Sequence, residues 1–214
     1  MAVPPVNWEL REAKKRDEIL DKALGIFAPN GYLGTTTDML AKEAAISKQT
    51  LYKLFGDKDG VFAALVQRHT DQAIDPFVPL VERISTIDSA EEAVQLLADQ
   101  FVRAIMNPGI QNLRRLVIAE SVRFPELGEE YWNAGFGQLL TTLAECLDLL
   151  TQRGLLDVPD TRLAAQFFAG LFIWIPGNRA MFEPRRPPMD EDEISNIINQ
   201  GSQMFVRAYG TDQN

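Results

Sequence analysis

Thr36-Thr37-Asp38-Met39-Leu40-Ala41-Lys42-Glu43-Ala44-Ala45-Ile46-Ser47-Lys48-Gln49-Thr50-Leu51-Tyr52-Lys53-Leu54-Phe55 is the stretch that decides how the rest of the chain is read. It holds two short helical segments joined by about three residues. Thr36 is a good N-cap, because its side-chain oxygen can accept from a first-turn N–H, and Asp38 adds a first-turn acid that suits the helix dipole. Ser47 is a second N-cap, and the segment behind it runs to about Leu54 before Gly56 and Asp57 punctuate it. Two helices that cross steeply need small residues where they touch. Ala41 and Ala44 supply them, and Leu40, Ile46 and Leu51 supply an apolar plug beneath. The turn position that prefers positive φ, often glycine, is Ala45, at a cost of about 1 kcal/mol. The spacing predicts a helix-turn-helix.

The outer side of the second helix carries Ser47, Lys48, Gln49, Thr50, Tyr52 and Lys53. Lys48 and Gln49 stand at its N-terminal end, where a recognition helix meets base edges. Lysine can donate to guanine, and glutamine can pair bidentately with adenine. The Thr50 and Tyr52 hydroxyls and the Lys53 and Lys58 ammonium groups suit phosphate oxygens. Lys58 also lies near a helix start, where backbone N–H groups favour an anion. Thr36 and Thr37 complete the candidate contacts to double-stranded DNA. The plain alternative is a solvated polar face in a helical bundle.

Outward from this stretch the dominant period is 3.6, with no convincing strand run. Upstream, Ile19, Leu20, Ala23, Ile26 and Phe27 share one helical face from Arg11 to Phe27, and Asn30-Gly31 stops that helix. Downstream, a helix opens near Lys58 with Phe62, Leu65, Val66 and Ala73 on one side, and Pro76 and Pro79 break or kink the chain beyond it. Capping boxes at Asp88 and Ser89 open a helix to about Met106. Asn107-Pro108-Gly109 turns the chain into a helix ending at Arg123. One long helix is predicted from about Leu127 to Arg153, and an apolar one from Thr161 to Ile175, stopped by Pro176-Gly177. A Pro/Arg-rich loop over 177–189 precedes a last helix, Asp190 to Tyr209. The fold class is all-α.

Ile19-Leu20-x-x-Ala23, Phe27, Gly31-Tyr32, Thr35-Thr36, Leu40-Ala41, Ala44 through Tyr52, and Phe55-x-Asp57-Lys58 together resemble the N-terminal domain of TetR/AcrR-type transcriptional regulators over about residues 10–65. Ala45 departs from the usual turn glycine, and Leu54 stands where many members have a polar residue. The resemblance implies a helix-turn-helix DNA-binding domain, residues 1–60, and a helical ligand-binding and dimerisation domain, residues 61–214. It further implies a dimeric repressor on a pseudo-palindromic operator, released by a small, largely apolar effector. The stretch Leu113 to Leu127 is similar to the C-terminal domain of AefR-like regulators. A regulator controlled by a protein partner is the alternative.

In the C-terminal part, the faces of the last two helices suit association across a two-fold axis. Phe168, Phe172, Ile194, Ile197, Ile198, Gly201, Met204 and Phe205 are the expected interface between two copies. Phe101, Met106, Phe124, Trp132, Phe136, Phe167 and Trp174 are candidate ligand-lining residues, with core packing as the plain alternative. His69 and Glu120 interrupt apolar faces and join them as polar candidates; for Glu120 a pairing with Arg123 is the alternative. The helix from Lys58 is the natural lever between the domains.

Composition limits the other classes. In 214 residues, 46% are apolar and 24% charged, too apolar for intrinsic disorder, and Gly 14 with Pro 12 is too low for a low-complexity chain. One cysteine, Cys146, and one histidine, His69, leave no internal disulfide and no Cys/His metal site, and they fit a reducing cytoplasm. Met1 to Trp8 has two prolines and no apolar run, unlike a signal peptide, and Ala164–Ile175 is too short to span a membrane. With no nucleotide fingerprint and no base beside Cys146 in sequence, an enzyme is not expected, nor is a cofactor. The net charge is −9. Through Gly60 there are 9 Lys+Arg and 9 Asp+Glu, which leaves 12 basic and 21 acidic residues beyond, and all seven lysines lie at or before Lys58. The acidity that argues against phosphate binding therefore belongs to the C-terminal part.

Overall fold

The computed structural model describes residues 7–211. Met1–Val6, part of the stretch that is unlike a signal peptide, lies outside the described residues. Among the latter the chain forms α1 (Asn7–Gly34), α2 (Thr37–Glu43), α3 (Lys48–Phe55), α4 (Lys58–Ile74), α5 (Phe77–Ile84), α6 (Ala90–Ile105), α7 (Pro108–Glu120), α8 (Pro125–Tyr131), a π-helical turn (Trp132–Phe136), α9 (Gly137–Gln152), α10 (Thr161–Phe182) and α11 (Glu191–Tyr209). No strand occurs among the described residues; one isolated β-bridge joins Leu156 and Gly210. The fold is all-α, as the periodicity predicts. No helix among the described residues is long and apolar enough to cross a membrane.

The helices form two compact units. One comprises residues up to Arg68 together with Asn112–Tyr131; the other comprises His69–Gln111 and the chain from Trp132 onward. Packing thus draws its line at Arg68 rather than at residue 60 and adds a distant segment to the first unit.

In the first unit Ile19, Leu20, Ala23 and Phe27 of α1 are buried with Leu40 and Ala41 of α2, Leu51 and Leu54 of α3, and Val61, Phe62, Leu65 and Val66 of α4. Leu113, Leu116, Val117 and Leu127 from the distant segment are buried as well. Burying a side chain the size of Phe27 or Phe62 contributes about 1.5–3 kcal/mol. Gly31 leaves helical geometry (φ 69°, ψ 172°) where the sequence places a stop, and one further turn runs on to Gly34.

In the second unit α5, α6, α9, α10 and α11 share a core centred on Leu97, Phe101, Leu143, Leu147, Phe168 and Phe172. Several helix boundaries differ from those predicted; α7, for one, ends at Glu120 rather than at Arg123. Pro79 does not break the chain, because it falls in the first turn of α5, where its missing N–H has no helical partner to lose. The long helix predicted from Leu127 is interrupted by the π-helical turn. Pro176 does not end α10, which runs seven residues past Ile175 to Phe182. Pro176 and Gly177 are buried, and Asn178 Nδ2 donates to the Trp174 carbonyl at 2.6 Å, serving an acceptor near the proline. Packing of the buried side outweighs the lost backbone bond.

Candidate nucleic-acid interface

The helix-turn-helix is built by its caps. Thr36 Oγ1 accepts from Met39 N–H (3.3 Å) at the start of α2, and Ser47 Oγ accepts from Thr50 N–H (3.0 Å) at the start of α3. Ser47 Oγ also lies 2.8 Å from Thr50 Oγ1. Between the helices Ala45 has φ 54°, the one non-glycine residue with positive φ among the described residues. Ala45 N–H donates to Lys42 O (3.1 Å) and Ile46 N–H to Ala41 O (3.0 Å), so the tight turn closes despite the missing glycine.

Leu51 and Leu54 seal the inner side of α3. Ser47, Lys48, Gln49, Tyr52 and Lys53 are exposed, while Thr37 and Thr50 are half-buried. The Thr37 and Tyr52 hydroxyl oxygens are 3.4 Å apart, bringing a residue of α2 beside one of α3. Lys48 forms an ion pair with Asp38, and Lys53 Nζ is 4.0 Å from Glu12 Oε2. Exposed pairs of this kind are weak and open readily, so both ammonium groups stay available to phosphate or guanine. The sequence marks Asp38 only as a dipole partner; its contact with Lys48 depends on the crossing of α2 and α3.

Arg16 is a residue that no sequence pattern singles out. Its guanidinium donates to the Leu54 carbonyl oxygen and lies 4.6 Å from the Phe55 ring centroid, tying the end of α3 to α1. The contact spans 38 residues, and no local spacing announces it.

Lys58 corrects an expectation. Its Nζ donates to the Tyr32 carbonyl oxygen at 2.8 Å and lies 4.2 Å from the Tyr32 ring centroid. The Tyr32 hydroxyl donates to Asp59. Burial and this acid both push the Tyr32 hydroxyl pKa up, burial being the larger cause. The ammonium group expected to face phosphate is turned inward.

Of the candidate ligand residues, Glu120 and Phe124 belong to the first unit and the others to the second. Glu120 accepts from Tyr32 N–H, and Phe124 packs edge-on against the Tyr32 ring at 5.0 Å, both within the first unit. In the second unit Phe101 is fully buried against Phe168 at 5.8 Å. Met106 is half-buried against the core. Trp132 and Phe136 lie against each other in the π-helical turn, ring centroids 5.6 Å apart, with Trp132 exposed. His69 lies against Gly109. Phe167 (54% exposed) and Trp174 (69%) stand on the outer side of α10.

The expected interface residues need the opposite correction. Phe168, Phe172, Ile194, Ile198, Gly201 and Phe205 are buried within the unit, Ile197 is half-buried, and Met204 alone is exposed. A Cβ on Gly201 would collide with the Phe172 ring, so that glycine serves contact inside one chain. The exposed apolar stripe is Leu163, Phe167, Leu171, Trp174 and Ile175, continued by Phe182. Cys146 is buried, and burial pushes its thiol pKa up to about 12, which suits an inert core residue. No cluster of metal-ligating side chains exists among the described residues.

Comparison with known proteins agrees with this geometry. The family described as bacterial regulatory proteins, tetR family, matches residues 19–65, and the AefR-like transcriptional repressor C-terminal domain matches residues 92–211. A TetR-family transcriptional regulator from Mesorhizobium loti MAFF303099, solved by crystallography, is 34% identical with a TM-score of 0.84, covering 94% of this chain and 99% of that one. The flavonoid-responsive regulator FrrA is 23% identical with a TM-score of 0.71, covering 94% and 99%, a likeness of fold. The HTH-type transcriptional regulator UidR of Escherichia coli K12 is 28% identical over 112 residues, which are 50% of this chain and 57% of UidR. The chain thus spans little more than half the length of that relative.

Proposed function

The chain belongs to the TetR family of bacterial regulatory proteins, with an AefR-like C-terminal domain, and on that premise we propose that it is a dimeric one-component transcriptional repressor. Two α3 helices read successive major grooves of a pseudo-palindromic operator, half-sites about 34–36 Å apart, and a small, largely apolar ligand releases the protein. The observation that carries this reading is the start of α3. Lys48 and Gln49 project into solvent beside a capped turn, while Leu51 and Leu54 hold the opposite side in the core.

The dimer is supported by the outer stripe of α10. Five large apolar side chains at helical spacing from Leu163 to Ile175 are exposed. Contiguous apolar patches of this kind mark interaction sites, and a two-fold axis lets one stripe cover its own copy. An apolar effector is supported by the fold neighbour FrrA, whose flavonoid class is aromatic. Such a ligand must bind the DNA-competent and released states unequally to shift their balance. α4 and α7 each carry residues of both compact units and are the routes for that shift.

Selection of binding sites from random duplex DNA tests the reading. An enriched inverted repeat is expected; no enrichment overturns it. The selected duplex then serves as the probe for release. Release by a small-molecule fraction of cell extract supports an effector, whereas release only by the protein fraction favours control by a protein partner.

A further inference from the structure

We propose that Glu120, the last residue of α7, is a positioning residue for the DNA-reading pair α2–α3, acting through the backbone of Tyr32. The inference rests on the DNA-binding function proposed for α3. Glu120 Oε1 accepts from the Tyr32 N–H at 2.9 Å, across 88 residues of sequence. Because Gly31 departs from helical geometry, Tyr32 opens a fresh turn, and the first N–H groups of a turn lack acceptors within it. The carboxylate fills that role as an N-cap side chain would, and an ionised acceptor makes the bond stronger than a neutral one.

A second observation fixes the same oxygen. A Cβ built on Gly31 would lie 2.6 Å from Glu120 Oε1. Glycine here both takes the positive φ and leaves room for the carboxylate. Tyr32 is held at its other polar groups too, its carbonyl by Lys58 and its hydroxyl by Asp59. Its ring packs among Phe27, Phe62 and Phe124. From this anchor the chain reaches α2 in four residues. Thr35, buried, donates from Oγ1 to the Gly31 carbonyl at 2.7 Å, and Thr36 caps α2. The segment Gly31–Thr36 is therefore pinned at its beginning by α7 and at its end by the cap, and the start of α2 sets where α3 points. Withdrawing the Glu120 carboxylate frees the beginning of that segment while leaving the apolar core of the unit intact.

The test measures backbone amide exchange in the full chain, free of DNA, for wild type, Glu120→Ala and Glu120→Gln. Loss of a hydrogen bond to a charged group is expected to speed exchange at Tyr32, and at the Thr36-capped Met39, by about tenfold or more in Glu120→Ala. Glu120→Gln, whose amide oxygen still accepts, stays within about threefold. Exchange at Phe62 and Leu65 stays unchanged, which separates positioning from general loss of stability. On the selected duplex, Glu120→Ala binds about tenfold more weakly and Glu120→Gln close to wild type. Wild-type exchange at Tyr32 and Met39 in Glu120→Ala overturns the proposal. If Glu120→Ala does not fold, Glu120→Asp, one methylene shorter, withdraws the carboxylate from the Tyr32 N–H with the charge kept and should speed the same two amides relative to Phe62; equal protection overturns the proposal. If wild type selects no duplex, the DNA-binding reading fails, and the exchange rates still decide whether Glu120 positions α2.

Discussion

α3 and α10 each leave a face in water, and the two faces are opposite in kind. α3 spans 8 residues and presents Lys48, Gln49, Tyr52 and Lys53; α10 spans 22 and presents Leu163, Phe167, Leu171, Trp174 and Ile175. A polar face costs nothing in solvent, so exposure alone does not assign it a partner. What assigns it is the donor and acceptor chemistry at a capped helix start. An apolar face costs about 25 cal/mol per Å² left in water, so its exposure by itself calls for a cover. The first face is interpreted by what it can read, the second by what it must hide.

The sharpest way to break this contrast is to place a charge on each side of the α10–α11 layer. Phe205 is buried and packs edge-on against Phe168 at 5.1 Å. Phe205→Glu buries an unpaired carboxylate, costs more than about 4 kcal/mol, and should abolish the cooperative thermal transition. Phe167→Glu, on the outer stripe, should keep a cooperative thermal transition yet halve the mass seen by light scattering. An intact dimer in Phe167→Glu removes the stripe from the interface.

The corresponding probe of α3 is smaller. Gln49→Ala and Lys48→Ala should each relax sequence preference by about 1–3 kcal/mol at one operator position while leaving the fold intact. Competition between the selected duplex and single-base variants measures this. Unchanged discrimination in both variants would show that α3 contacts backbone rather than bases.

These regions also differ in how far the sequence discloses them. The α2–turn–α3 unit is legible because its caps and its turn are local: Thr36 and Ser47 cap the next turn, and Ala45 alone adopts positive φ without being glycine among the described residues. α10 is half legible. Its helical period is plain, but it is apolar on more than one side, so periodicity does not choose which side faces in. That choice belongs to α6, α9 and α11, whose residues fill one side, and the same packing carries the helix through Pro176. Lys58 misleads for a related reason, since its partner, the Tyr32 carbonyl, is 26 residues away.

Lys53 and Lys58 turn that difference into a measurement. Lys53 is exposed and only loosely paired, so Lys53→Ala should lower the slope of log affinity against log salt by about one. Lys58→Ala should leave the slope unchanged and instead lower stability by about 1 kcal/mol through the lost carbonyl and ring contacts. A drop in slope for Lys58→Ala would mean that its ammonium group leaves Tyr32 when DNA binds.

The smallest effect tests the turn itself. Ala45 holds φ 54°, a region in which an L side chain crowds its own backbone and glycine does not. Ala45→Gly relieves that strain but adds conformational freedom to the unfolded chain, and the two effects oppose each other. Relief should win, because the folded turn is fixed by Ala45 N–H to Lys42 O and Ile46 N–H to Ala41 O whichever residue stands there. The expected gain is up to about 1 kcal/mol in thermal or urea unfolding, with no change in DNA preference, since Ala45 has no group that reads a base. A loss of stability would mean that the alanine methyl packs favourably enough to offset its strained backbone.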